Sequence, residues 1–291
     1  FLNIRFERVI LNKVEKLYDD LSPSGVFPSK SVIQTDLEEV KKSLLKFADD
    51  KKFEIEKLKD QEKYRREFIG NIAHELKTPL FTVQGYILTL LEREIDDEGL
   101  KKKYLKRTSK GLERLVHIVK DLDLITAFES GVKSIEKSKF DLIELIKNVI
   151  DLFEMQVKKN NISLSLDGDQ SLTFFVEADK ERIQQVLTNL IINSLKYSVE
   201  KGSIEISVNK LNKDKLIVDV TDNGEGIEEK HLPRIFERFY RIDKTRNRKL
   251  GGSGLGLAIV KHIIQAHGER IFVESKFGVG SKFSFTLEAS K

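Results

Sequence analysis

The feature that most narrows the fold is a change of hydrophobic period near Ser130 and Gly131. Before it, apolar residues recur every three or four positions: Leu37, Val40, Leu44 and Phe47, then Val83, Ile87 and Leu91, then Leu105, Leu112, Leu115, Ile118, Leu122 and Ile125. That spacing belongs to helices with one apolar stripe. After it, Ile204 to Val208 and Leu216 to Val220 alternate with period two, as half-buried strands do, between further helical stretches. The chain is therefore expected to be multidomain, helical first and mixed α+β second.

In chain order, residues 1–21 read as a helix, SPSGVFPSK at 22–30 as a connector, and a second helix starts near Thr35 and Asp36, an N-cap pair. The charged run Asp49 to Arg66 reads as a coiled coil continuing into Phe68, Ile72 and Leu76. The helix then passes Pro79, where a kink is expected, and runs through Leu91. A break at Asp96 to Gly99 and a further helix from about Leu100 to Phe128 complete a helical hairpin. One such hairpin leaves its apolar surface poorly covered, whereas two make a four-helix bundle, so a homodimer is expected. Beyond Gly131 the pattern predicts helix over Phe140 to Val157, strand over Ile162 to Leu166, helices over Arg182 to Tyr197 and Leu255 to His267, and a strand pair, Arg270 to Glu274 and Lys282 to Leu287, around FGVG. Strands and helices in this order predict a two-layer α/β sandwich.

Composition removes some chemistries. With no cysteine there is no disulfide, thiolate nucleophile or thiolate zinc site, and a net charge of +4 over 291 residues does not argue for nucleic acid. No run reaches the roughly eighteen apolar residues of a membrane span. The chain opens at Phe1 and its one methionine is Met155, so we expect a fragment whose membrane anchor, if it has one, precedes Phe1.

Two constellations carry chemistry. In FIGNIAHELKTPL, Phe68 to Leu80, helical spacing puts His74 opposite Ile69, Ile72 and Leu76, and therefore in solvent. Glu75 adjoins it and Thr78 shares its face. A solvated imidazole beside a carboxylate can act as a nucleophile, although most surface histidines do nothing of the kind. The second constellation begins with Asn189 and Asn193, four apart on one helix face with Lys196 and Tyr197 one turn on. Amide oxygens can ligate Mg²⁺ and a lysine can meet a phosphate. Solvated or capping roles remain the ordinary alternative for such asparagines. VTDNGEGI, Val220 to Ile227, then places Asp222 at a strand end to accept from an adenine amino group, with Gly224 and Gly226 allowing close approach to the base; a bare DNG could equally be a turn. LGGSGLGL, Leu250 to Leu257, leads into a helix whose first amides can wrap phosphate oxygens. It has neither Walker nor dinucleotide spacing. The basic segment Arg234 to Lys249 between the glycine clusters has the length of a mobile lid.

Together these motifs resemble those of the sensor histidine kinases of two-component signalling, with an ATPase domain similar to that of gyrase, Hsp90 and MutL. NIAHELKTPL resembles the phospho-acceptor box, QQVLTNLIINSLKYS the N box, TDNGEGI and GGSGLGLAIVKHIIQAHG the two glycine boxes, and FERFYR the F box. The resemblance covers roughly residues 60 to 290. It implies a HAMP-like linker at 1–50, a dimerisation and phospho-acceptor hairpin at 51–130 and a catalytic ATP-binding domain at 131–291. It makes His74 the phosphorylated residue, Glu75 the carboxylate that orients it or takes its proton, and Thr78 the positioner of a hydrolytic water. Asn193 would hold Mg²⁺ with Asn189 in support, Lys196 a phosphate, and Tyr197 and Asp222 the adenine. Gly252, Gly254 and Gly256, with Leu255 and Leu257, would line the phosphates, and Arg241 would reach the γ-phosphate. The implied partner is the receiver domain of a response regulator, and the implied place is the cytoplasmic side of a membrane-anchored bacterial receptor. Glu269 departs from the pattern, standing where glycine is commoner. Two rival readings keep the fold and change the activity: a scaffold that binds ATP without self-labelling, and a clamp ATPase that never labels histidine.

Overall fold

The computed structural model describes residues 37–92, 97–129, 135–168, 173–242 and 253–290. The helix expected over 1–21, the connector at 22–30, residues 243–249 of the expected lid and Gly252 lie outside the described residues. The chain divides into two units, Phe1–Arg66 and Glu67–Lys291. In the first, the described residues are helical and strongly charged, and Leu45, Phe53 and Leu58 are exposed.

Helix α1 (Leu37–Glu92) contains Pro79 and runs on past it as one helix, as the sequence pattern expects. Asp97 starts helix α2 (Glu98–Glu129), its Oδ1 accepting from the amides of Gly99 at 2.7 Å and Leu100 at 3.2 Å. An aspartate before an apolar-periodic run is a strong N-cap, which is why the pattern breaks there.

The α/β part follows as β1 (Ser138–Asp141), α3 (Leu142–Leu152), α4 (Glu154–Asn160), β2 (Ser163–Leu166), β3 (Phe175–Ala178), α5 (Lys180–Tyr197), β4 (Ser203–Lys210), β5 (Lys215–Asp222), a 3-10 turn (Glu229–Arg234), α6 (Gly256–Ala266), β6 (Ile271–Lys276) and β7 (Gly280–Glu288). The helix expected over Phe140 to Val157 is corrected at both ends. Phe140 lies in β1, because Asp141 caps α3 through the amide of Ile143 at 3.0 Å, and Phe153 interrupts the helix before α4. Strand β3, absent from the sequence expectation, pairs antiparallel with β1.

The main sheet has five strands in the order β2-β4-β5-β7-β6, antiparallel except for β2 with β4. Its inner face carries Ile204, Ile206, Val218, Val220, Phe283 and Phe285, all nearly inaccessible, against the apolar stripes of α3, α5 and α6. Period two does more than fill the core. After Leu216, Val218 and Val220 the next inward position of β5 is Asp222, so the strand delivers a carboxylate to the edge of the core.

Candidate functional site

A cavity of about 660 Å³ lies between α2, α5 and the opening of α6. From α5 it receives Asn189, Asn193, Lys196 and Tyr197, the face opposite the buried Ile183, Leu187 and Ile191. Asp222 lies on the cavity wall, its Oδ2 accepting from Ser194 Oγ at 2.9 Å and its Oδ1 from Gly224 N at 3.0 Å. Burial pushes its carboxyl up, and those donors pull it back.

The glycines serve the chain itself. Gly226 has φ +69°, and a Cβ there would fall 2.1 Å from Lys276 O, while Gly224 sits against the Tyr197 carbonyl. The close approach expected toward a base is therefore made to neighbouring backbone, although Gly226 also reaches the cavity. Gly254 has φ +75° and packs on the backbone of Phe239, a residue itself at φ +60°, whose amide donates to Gly254 O at 2.9 Å. This locks the second glycine box to the F box. Gly254, Gly256 and Leu257 line the cavity, whereas Leu255 is fully buried in the core and only its backbone faces the turn.

Cations gather without equal acid. Lys196 is held down to about 8, first by burial and then by the fields of Arg241 and Arg114. The Nε and Nη2 of Arg241 and the Nδ2 of Asn189 are buried with no hydrogen-bond partner among the described residues. Unspent donors beside mutually repelling cations are what an anionic ligand would satisfy.

The acceptor box adjoins this cavity. His74 is exposed on α1, as its helical position requires, and does not line the cavity. Thr78 is exposed and its hydroxyl donates to the His74 carbonyl at 3.3 Å. Glu75 does not hydrogen-bond His74 among the described residues. It pairs instead with Arg114 at 3.1 Å and stands 3.8 Å from Arg241, so the role of ring-orienter is not the one seen here. Phe239 reaches the same helix, its ring 5.8 Å from that of Phe68, with the Arg238 guanidinium 5.0 Å from the Phe68 ring.

Sequence reasoning did not find the contribution of α2. Arg114, His117 and Asp121 line the cavity, and Ser253 Oγ lies 3.5 Å from Asp121 Oδ2. Their spacing along α2 is helical, a polar stripe that was visible, but nothing in the sequence said what it would face. Tyr240 was missed as well; its hydroxyl meets His231 Nδ1 at 2.7 Å under the Arg234 guanidinium.

Comparison with known proteins finds two family matches along the chain. Residues 64–131 match the His Kinase A (phospho-acceptor) domain, and residues 178–291 match the histidine kinase-, DNA gyrase B-, and HSP90-like ATPase family. The sensor histidine kinase WalK of Bacillus subtilis is 39% identical over 229 residues, which are 78% of this chain and 37% of that protein. The chain thus spans little more than a third of that relative's length. Among solved structures, the Acinetobacter baumannii histidine kinase AdeS aligns with a TM-score of 0.58 at 29% identity, covering 75% of this chain and 97% of AdeS. The histidine kinase ThkA, solved in complex with the response regulator TrrA, aligns with a TM-score of 0.59 at 29% identity over 81% of this chain and 67% of that one. With a phospho-acceptor hairpin followed by an ATPase sandwich, both matched in their expected order, this chain belongs to the sensor histidine kinases of two-component systems.

Proposed function

We propose that the chain is the kinase core of a two-component sensor, which uses ATP to phosphorylate its own His74 and passes the phosphoryl group to an aspartate of a response-regulator receiver domain. The observation that carries this reading is the approach of Glu75, next to His74, to Arg241 on the wall of the cationic cavity. In the transfer, an imidazole nitrogen of His74 attacks the γ-phosphorus, the bond to the β-bridging oxygen breaks, ADP leaves, and the ring gives its proton to Glu75 or water. Catalysis of this kind comes from positioning and charge neutralisation. Lys196 and Arg241 meet phosphate oxygens, Tyr197 and Asp222 take the adenine, and the amides from Gly252 to Gly256, with Leu257, close on the phosphates.

Asn193, with Asn189 in support, would hold Mg²⁺, which when bound supplies charge neutralisation on the phosphates. Among the described residues no group of three or more acidic or histidine side chains is placed to hold a metal ion, so such an ion would take its remaining ligands from the nucleotide and water. Thr78, beside His74, places a hydrolytic water for phosphatase action on the phosphorylated partner. The domain limits at 50 and 130, the HAMP-like character of 1–50, the homodimer and a cytoplasmic position below a membrane anchor belong to the same proposal. Among the described residues no helix is long and apolar enough to cross a membrane.

Incubation with ATP radiolabelled at the γ-position tests the core of it. Acid-labile, base-stable label is expected on wild type and none on His74→Gln, while Thr78→Ala keeps the label and slows partner dephosphorylation. Label that survives His74→Gln refutes the assignment; ATP binding without label favours the scaffold, and steady phosphate release without label the clamp ATPase.

A further inference from the structure

The second hairpin helix brings an acid into a cavity otherwise rich in cations. α2 packs on α6, and Asp121 stands on the cavity wall at that junction. Ser253 Oγ lies 3.5 Å from its Oδ2, and the same hydroxyl accepts from Leu255 N at 3.3 Å, so the carboxylate is tied to the turn that opens α6. Burial pushes the Asp121 carboxyl up, against the pull of His117 one turn earlier and of the Ser253 hydroxyl. The other groups at this wall, Gly254 and Gly256, are those to which the proposed function gives the phosphates.

A carboxylate and a polyphosphate cannot share one partly desolvated wall without strong repulsion. The carboxylate is also the simpler of the two to move, because it rides on α2 and its hold on α6 is a single long contact. We infer that Asp121 is a latch between the acceptor hairpin and the ATPase domain, and that the phosphates of an arriving nucleotide displace it from the glycine-box turn and free the domain from α2. Glu75 stands toward Arg241 in a comparable way, an acid of α1 against a cavity arginine. The latch gives the nucleotide a direct means of uncoupling the two domains, as the transfer to His74 requires, since His74 lies outside the cavity. This inference rests on the reading of the cavity as the ATP site.

The experiment titrates a non-hydrolysable ATP analogue with Mg²⁺ into the whole chain as wild type, Asp121→Asn and Asp121→Glu, and follows amide exchange across α2 in each. Asp121→Asn keeps the shape and removes the charge, so it is expected to bind the analogue on the order of fivefold tighter. Its amide oxygen can still accept from Ser253, so its α2 exchange should be slow without analogue and respond less than wild type's when the analogue is added. Wild type and Asp121→Glu, which keep the charge, are expected to speed their α2 exchange only when the analogue is added. If wild type binds while Asp121→Asn binds equally or more weakly, or if α2 exchange in wild type ignores the analogue, the latch is overturned. If wild type binds nothing, the ATP-site reading falls and the latch with it.

Discussion

Lys196 shows most directly how the cavity is poised. Its ammonium is held down to about 8 by burial and by two arginines, so near pH 8 about half of these side chains are neutral. A nucleotide's phosphates would cancel the cationic fields and favour the charged form. Binding is therefore expected to take up protons at pH 8 and none at pH 6.5, where the lysine is already charged. Calorimetry in buffers of differing ionisation enthalpy reads this directly, and Lys196→Met should abolish the uptake; binding at pH 8 with no proton uptake would contradict it. The same depression makes the unfolded chain bind more protons between about 8 and 10.5, so this group's share of stability rises with pH across that window. At this scale the sequence was informative where chemistry depends on local spacing. His74 opposite an apolar stripe, or Asp222 ending an alternating strand, can be read from one segment. Arg114 and Asp121 could not, because their meaning comes from an element more than a hundred residues away, at Ser253 and Arg241.

Between elements, the buried His267 joins the end of α6 to the start of α5. Its Nδ1 donates to the Ile263 carbonyl at 2.8 Å, which leaves Nε2 to accept the Asp179 amide at 3.0 Å. Asp179 is itself the N-cap of α5, accepting from Arg182 N at 3.1 Å. Only the neutral ring can make both bonds. Burial lowers its pKa, with Asp179 and Glu269 pulling the other way and Lys137 adding to the decrease. A base whose folded pKa lies below its unfolded value stabilises fully above about 6.5 and loses that contribution as pH falls further. Thermal melts should accordingly show a drop between pH 7.5 and 5.5, which His267→Gln flattens at the cost of roughly 1–2 kcal/mol at neutral pH. An equal slope in the variant would assign the acid sensitivity elsewhere. Most elements were legible from their period, since α1, α2 and α5 are long. The short strands β1 and β3 were not, because β1 buries only Phe140 and β3 only Val176 and Ala178, and no turn signal separates β1 from α3. Glu269, a departure from the family pattern in the sequence, turns out to be buried and to accept from Lys215 at 2.8 and 2.9 Å and from Thr286. That places it in the sheet's framework, away from the cavity.

For the molecule as a whole, the apolar residues left outside the core point to a second copy. Leu80, Leu91, Leu105 and Leu112 lie exposed along α1 and α2. Covering them would stabilise a pair by about 1.5–3 kcal/mol for each large side chain fully buried. Leu105→Glu with Leu112→Glu is expected to shift the sedimenting mass from two chains to one and leave the ATPase sandwich folded. A single-chain mass for the wild type at micromolar concentration would remove the bundle from the account. The two-part architecture was readable at this scale because unbroken helical periodicity gives way near Gly131 to strands mixed with helices. How the sandwich rests on the hairpin was not, since that contact uses scattered residues such as Phe68 and Phe239.

The interlock of Phe239 with Gly254 has a consequence for how sequence change spreads through this protein. A methyl group added at Gly254 would press on the Phe239 backbone at 2.9 Å, and the Phe239 ring in turn lies against Phe68 of the acceptor helix. Drift at one loop position would thus be felt across a domain boundary, and because the obstacle is backbone, no change of side chain at Phe239 would relieve it.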